Sequence, residues 1–266
     1  MTEQAADSGT VPDERWTTPS RRRLGTEVII VFAISLGYSG LLAFVNFLYI
    51  VTKTRDLSEV STGPIVGSRS DRPWFDLVYQ LLAFGKGIVP VLLVLYLLVI
   101  GGESIKKVLG LDLTQPRRDI GRGAVLAAFI GFSGLALYFV ARALDLNLTL
   151  VATNLPDIWW RLPVLVLAAF QNGLLEEVLV AGYLTHRLGQ LRWSPWAAVF
   201  TSAAVRGSYH LYQGLGGFAG NFVMGVIFAR LYQRWGRVTP LIIAHTLIDS
   251  VAFIGYLLLK DHVSWL

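Results

Sequence analysis

Apolar runs separated by short polar breaks organise this chain. They lie at roughly 27–52, 75–101, 120–143, 158–186, 195–213, 217–233 and 239–259. Each can supply the ~20 residues a helix needs to cross a bilayer. A transmembrane β-barrel would instead show short segments of alternating hydrophobicity. The pattern predicts an all-α fold, a polytopic transmembrane helical bundle of about seven spans. Residues 1–24 are polar and read as a disordered, basic N-terminal tail with little to bury; no short apolar core with a small-residue cleavage site marks a signal peptide. Residues 25–266 form the membrane domain.

Composition sharpens this picture. Charged residues make up 15% of the chain and hydrophobic ones 54%, against about a quarter charged in soluble domains. The net charge of +5 is assigned to topology rather than to nucleic acid, because basic residues of membrane proteins collect in cytoplasmic loops. With the N-terminus inside, Arg15, Arg21–Arg23, Lys106, Lys107, Arg117, Arg118, Arg187, Arg192, Arg230, Arg234 and Arg237 fall on the cytoplasmic side. Inner segments then carry about twice the basic residues of outer ones. Trp159, Trp160 and Trp193 fall near expected interfaces and fit an aromatic belt. There is no cysteine, which removes disulfides, thiolate ligands and a thiol nucleophile. Short loops point to a multi-pass protein of a prokaryotic plasma membrane.

Few ionisable residues lie inside the runs: Lys86, Arg142, Glu176, Glu177, Arg206, His210, His245 and Asp249. Each acid costs roughly 2.5–3.5 kcal/mol at the centre of a span, so two adjacent ones in QNGLLEEVLVAGY (171–183) demand a reason. Arg142 can snorkel from a helix end. Lys86, in FGKGIVP, lies deeper and is read as reaching for a polar cavity or a carboxylate. Arg206 and His210, and His245 and Asp249, are paired at i, i+4, so each pair shares a helix face. Asn172, Glu176, Val180 and Tyr183 make one stripe on the fourth run. Glu176 and Glu177 are ~100° apart around a helix, so one faces a site and the other a structural partner.

A glutamate in a dry site can act as general base on water. Two imidazoles can bind a metal or stabilise an oxyanion. Asp249 can fix a tautomer or serve as a ligand. Together these groups suit peptide-bond hydrolysis. They would also suit a proton-coupled transporter, or a membrane binding module without turnover. GFSG (131–134) matches a serine-protease pattern, and Ser133 with His245 would make a dyad. But GYSG (37–40) matches equally well, and the dyad leaves Glu176, Glu177 and His210 unexplained. HExxH is absent.

The order Glu-Glu, His, His-xxx-Asp on late runs resembles the CPBP intramembrane proteases, also called the CAAX-protease and bacteriocin-processing, or Abi, family. The matching stretches are EEVLVA (176–181), RGSYH (206–210) and HTLID (245–249), within a core at 158–257. The resemblance implies an intramembrane endopeptidase, of metallo- or glutamate type, acting on a membrane-associated peptide or protein. In it Glu176 activates water, Glu177 supports it, His210 and His245 bind a metal or stabilise the oxyanion, and Asp249 takes the last polar position. Three ligands, Glu176, His210 and His245, plus water would suit Zn2+, and a metal-free mechanism stays open. Whether prenylated CaaX substrates are processed is not specified by these residues. The alternative is a non-catalytic CPBP-like binding or immunity module.

The family has arginine where Ala181 stands and phenylalanine where Arg206 stands. One cation is lost and one gained, which suggests that Arg206 restores the charge beside Glu177 from the neighbouring helix. His245 lies about 9 Å from the inner end of its run and His210 near the outer end of its own. A broken segment through YQGLGGF (212–218) would reconcile the depths. Gly216 and Gly220 have the spacing for close helix contact, and Asn221 is a further polar candidate for the site.

Overall fold

The computed structural model describes residues 20–54 and 56–263. Almost every apolar run becomes helix, because a backbone in hydrocarbon must satisfy its hydrogen bonds within its own segment. The elements are α1 (Arg21–Ala33), α2 (Leu36–Lys53), α3 (Pro73–Ile100), the short α4 (Ile105–Leu109) and α5 (Pro116–Ala143). A single long rod follows: α6 (Arg161–Glu176), a π-helical stretch (Glu177–Leu184) and α7 (Thr185–Gln190). The chain closes with α8 (Pro195–Tyr209), α9 (Leu215–Trp235) and α10 (Thr239–Leu259). Among the described residues, six helical segments are long and apolar enough to cross a membrane: Leu36–Lys53, Pro73–Ile100, Pro116–Ala143, Arg161–Gln190, Leu215–Trp235 and Thr239–Leu259. The outer faces of α2, α3 and α5 are bare hydrocarbon, with Leu41, Val45, Leu82, Val89, Val125 and Phe132 exposed. That is what lipid-facing helices present.

Three boundaries differ from the hydrophobic pattern. The helix begins at Arg21 with Ser20 as its cap, so residues 21–24 belong to α1; residues 1–19 of the expected tail lie outside the described residues. The first run is broken at Ile34–Ser35, where the Ser35 hydroxyl turns back to the Val31 carbonyl at 2.5 Å. The fifth run stops at Tyr209, giving a helix of 15 residues, about 22 Å long and short of a full crossing. Hydropathy continues past this point, but the chain turns through Leu211–Gln213 and Gly214 before α9. Trp160, placed in the belt by sequence, is 2% exposed and packs in the core.

The helices run alternately between two ends. At one, rich in basic residues, polar side chains lock the turns together. Arg187 at the end of the long rod pairs with Glu27 on α1 at 2.9 Å and with Glu103 after α3. Tyr183 donates to the same Glu27 at 2.7 Å, and His186 joins Glu103. Arg237 holds Asp112 and Asp119 at 2.9 and 2.6 Å. At the other end the loops 56–72 and 144–160 lie on each other, through single parallel bridges at Ser61–Thr149 and Val66–Thr153. Asn147 reaches from this cover to the α8–α9 turn, pairing with Gly214 and accepting from the Gly217 amide at 2.8 Å.

Small residues set the distances in the middle. Gly173 of α6 lies on α10, where a Cβ would come within 3.1 Å of the Ile242 carbonyl. Gly225 of α9 lies on α8 against Ala203 and Arg206. Gly216 and Gly220 meet Ala141 and Leu137 of α5, the close contact their spacing suggested. These approaches draw α6, α8 and α10 together around residues 176–177.

Gly173→Leu should force α10 away from α6 and lower stability by about 1–3 kcal/mol, measured as a drop in thermal midpoint in detergent. Gly131→Leu, at a position with no atom within 4 Å, should leave the midpoint unchanged. A second expectation concerns acid. Burial alone would raise the Glu103 carboxyl, but hydrogen bonds from His186 and Arg187 outweigh it and hold the group below its ordinary value of 4.5. The stabilisation is therefore complete above that value and drains away as pH falls through the lower folded-state value. Titrating unfolding by tryptophan fluorescence below pH 4.5 should show a shallower acid loss in Glu103→Gln than in the parent.

Candidate active site

The two acids at 176 and 177 sit where the rod changes from α to π winding. A π segment widens the turn and is often found at functional sites. Here it ends the simple stripe read from Asn172 to Tyr183: Val180 offers its carbonyl to the Ser202 hydroxyl of α8 at 2.8 Å, while Tyr183 bonds Glu27 at the basic end. Beyond Glu177 the residues no longer follow the 3.6 period on which the stripe rests.

The acids differ sharply in their surroundings. Glu177 is 0% exposed. Its Oε1 takes the Arg206 guanidinium at 2.5 Å and the His245 Nδ1 at 2.7 Å. Glu176 is 8% exposed. Its Oε2 accepts the Tyr209 hydroxyl at 2.7 Å and lies 3.7 Å from Arg206. Its Oε1 has no hydrogen bond among the described residues. The adjacent carboxylates thus point different ways, as their angular separation around the helix suggested.

Arg206 lies where charge compensation for Ala181 requires it. It is 1% exposed, in the last turn of α8, with its guanidinium on Glu177 and 5.3 Å from the Phe228 ring centre. Ala181 is buried in the rod. The cation missing from the glutamate's own helix is supplied across the helix interface. A buried ion pair of this kind costs desolvation on both sides, and deleting either partner leaves an uncompensated charge.

The histidines come from two further helices. His245 of α10 places Nδ1 on Glu177 and Nε2 3.7 Å from Asp249. Asp249 takes the Asn172 amide at 3.0 Å. His210, just past the end of α8, turns Nδ1 to the Arg206 carbonyl at 3.1 Å, which leaves Nε2 without a hydrogen bond among the described residues. Its ring lies between Tyr209 and Tyr212, at 4.8 and 6.2 Å between centres. The depth mismatch between the histidines is resolved by the shortness of α8. Arg206, one turn before His210, reaches the same carboxylate oxygen as His245.

Other sequence candidates fall elsewhere. Asn221 donates to Gly217 of its own helix at 3.0 Å and makes no hydrogen bond into the cluster. Ser133 donates to the Phe129 carbonyl of its own helix at 2.6 Å and is exposed on α5; nothing joins it to His245. Lys86 makes no bond or ion pair with a described residue, so the carboxylate expected beside it is not there. Tyr209, which sequence reasoning passed over, is the only hydrogen-bond partner of Glu176 among the described residues. Its one sequence signal is an aromatic directly before the motif histidine.

A metal would need three of these donors to converge on one point. Among the described residues, no three His, Asp or Glu side chains are grouped to hold an ion. His245 spends one nitrogen on Glu177, and Glu176 spends one oxygen on Tyr209. Glu176 Oε1, His210 Nε2 and His245 Nε2 are each left without a hydrogen bond among the described residues. The chemistry these residues can supply by themselves is a carboxylate with one free oxygen, beside a hydroxyl and an imidazole.

Arg206→Leu should cost about 3–5 kcal/mol, because it leaves Glu177 buried with one partner. Adding Glu177→Leu should recover much of that loss. Both are read from thermal midpoints of the purified protein.

Residues 158–251 match the family model described as type II CAAX prenyl endopeptidase Rce1-like. Neither the curated proteins nor the solved structures gave a match to the chain.

Proposed function

We propose, taking as premise that residues 158–251 form an Rce1-like domain of the CAAX-protease type, that this chain is an intramembrane endopeptidase using water activated by Glu176. The reaction is hydrolysis of a peptide bond in a membrane-associated peptide or protein. One observation carries the assignment of roles: each acid keeps one oxygen without a hydrogen bond among the described residues, but that of Glu177 is shut inside the protein, whereas Glu176 is 8% exposed.

In this reading Glu176 Oε1 takes a proton from water, and the resulting hydroxide attacks the scissile carbonyl carbon. The Tyr209 hydroxyl fixes the carboxylate through Oε2, so that Oε1 alone is aimed at the water. His210 gives its Nδ1–H to the Arg206 carbonyl, so Nε2 of the neutral ring accepts a hydrogen bond from the water and orients it toward the scissile carbonyl. When the tetrahedral intermediate collapses, Glu176 returns its proton to the leaving amide nitrogen. Glu177 takes no proton; with Arg206 and His245 it holds the rod, α8 and α10 in register. Asn172 and Asp249 orient the other side of His245. No step is routed through a metal, since the donors present are not grouped for one. In this reading the N-terminus lies on the cytoplasmic side, supported by the charge asymmetry of the sequence.

A non-catalytic module would keep this fold and lose nothing when Glu176 is neutralised. The discriminating experiment uses purified protein in liposomes with a fluorogenic membrane-anchored peptide. Glu176→Gln should abolish cleavage, and full activity in that variant would reject the mechanism. Tyr209→Phe should lower kcat by about 10- to 100-fold with KM little changed. Cleavage should survive exhaustive chelation; loss on chelation with recovery on added Zn2+ would overturn the metal-free mechanism.

A further inference from the structure

A cavity of about 530 Å³ opens at the basic end, between the end of the rod, the start of α8 and the last turns of α9. His186 and Gln190 line it from the rod, Trp193 from the turn that follows, and Arg230 and Gln233 from α9. No acid is among the described residues that line it. Glu103, the acid that His186 and Gln190 touch, is already paired with Arg187. Thr185 is a further wall residue; it is buried, and its hydroxyl has no partner among the described residues. The cavity offers hydrogen-bond donors with no negative charge of its own.

Arg230 is exposed, about 8 Å inside the end of α9. It makes one hydrogen bond among the described residues, to Gln233 at 3.1 Å, and its guanidinium lies 5.1 Å from the Trp196 ring centre. Most of its five donors are therefore unanswered. From Trp196 a row of rings follows the outer seam of α8 and α9. Phe200 stacks on Trp196 at 5.8 Å, Phe222 on Phe200 at 6.4 Å and Phe218 on Phe222 at 6.1 Å between centres, each pair within 27° of parallel. Trp196 and Phe200 are exposed, whereas Val199, Ser202 and Arg206 on the other face of α8 are buried. Phe218 lies about 18 Å along α9 from Arg230. One leaflet's share of the hydrocarbon is about 15 Å, so the row is as long as a lipid chain is deep.

We propose that an anionic phospholipid of the leaflet at the basic end binds this seam, with its phosphate in the cavity on Arg230 and one acyl chain along the rings. A guanidinium meets two phosphate oxygens at once, and its stacking on Trp196 holds it at the mouth of the row. The arrangement selects this occupant. A soluble anion would use the cavity and leave the rings bare, and a neutral lipid would use the rings and leave the guanidinium unpaired. The site goes beyond peptide hydrolysis: none of these side chains bonds the cluster at Glu176 and Glu177, and the lipid bridges the rod, α8 and α9 from outside.

The test titrates full-length protein, stripped of lipid in a non-ionic detergent, with dioleoylphosphatidylglycerol or dioleoylphosphatidylcholine, and counts bound lipid by native mass spectrometry. One phosphatidylglycerol should bind about fivefold tighter than phosphatidylcholine, the share of one guanidinium. Arg230→Gln should bring the two lipids to within about twofold, and Arg230→Lys should keep the preference. Phe200→Ala combined with Phe222→Ala should weaken both lipids alike. Lipid-free thermal midpoints of the Arg230 variants should match the parent, since the side chain is exposed. No preference in the parent, a preference that survives Arg230→Gln, or glycerol phosphate binding as tightly as the lipid would overturn the proposal. So would dimers that need Arg230, which would make the seam an interface between copies, or one-for-one displacement of the lipid by an isoprenylated peptide, which would make it a substrate seat.

Discussion

Three helices of this protein meet at one oxygen atom. The Oε1 of Glu177 receives the guanidinium of Arg206 from α8 and the imidazole of His245 from α10. In a dry, low-dielectric interior such a group is either answered or ruinous to stability. Here the answer fixes the relative heights of the rod, α8 and α10, and therefore the heights of Glu176, His210 and Asp249. Glu177 takes Arg206 and His245, and Glu176 is left with Tyr209 and an oxygen that makes no hydrogen bond among the described residues.

Close backbone contact makes that convergence possible. Glycines at 173 and 225 let α10 approach α6, and α9 approach α8, with no side chain between. The π winding after Glu177 turns the rest of the rod toward Glu27 and Glu103, where Arg187 and His186 anchor it at the basic end. The rod is tied at its end and at its middle by different chemistry, charge pairs at the end and a buried cluster at the centre.

Much of this was legible in the sequence because the bilayer raises the cost of every polar side chain. Glu176, Glu177, His210, His245 and Asp249 stand out against leucine and valine, and their i, i+4 spacing gives shared faces directly. Arg206 was legible as a cation gained where another was lost, and its contact with Glu177 meets the condition set by that reasoning. Tyr209 was not, since a tyrosine in a membrane helix is ordinary until its hydroxyl is seen on a carboxylate. The end of α8 was hidden because hydropathy stays high through Leu211 and Tyr212, and turns are set by backbone geometry rather than by apolar content. The break after α1 and the π segment were hidden for the same reason. Asn221 was over-read: its amide is satisfied within its own helix.

The shortness of α8 has a consequence for hydration. A hydrolytic centre inside a membrane must be reached by water. A helix of about 22 Å in hydrocarbon about 30 Å thick stops short of one boundary. Beyond its end lie the turn through Gly214 and the loop that carries Asn147. On the proposed hydrolytic reading, this end of α8 is the side from which water would reach His210.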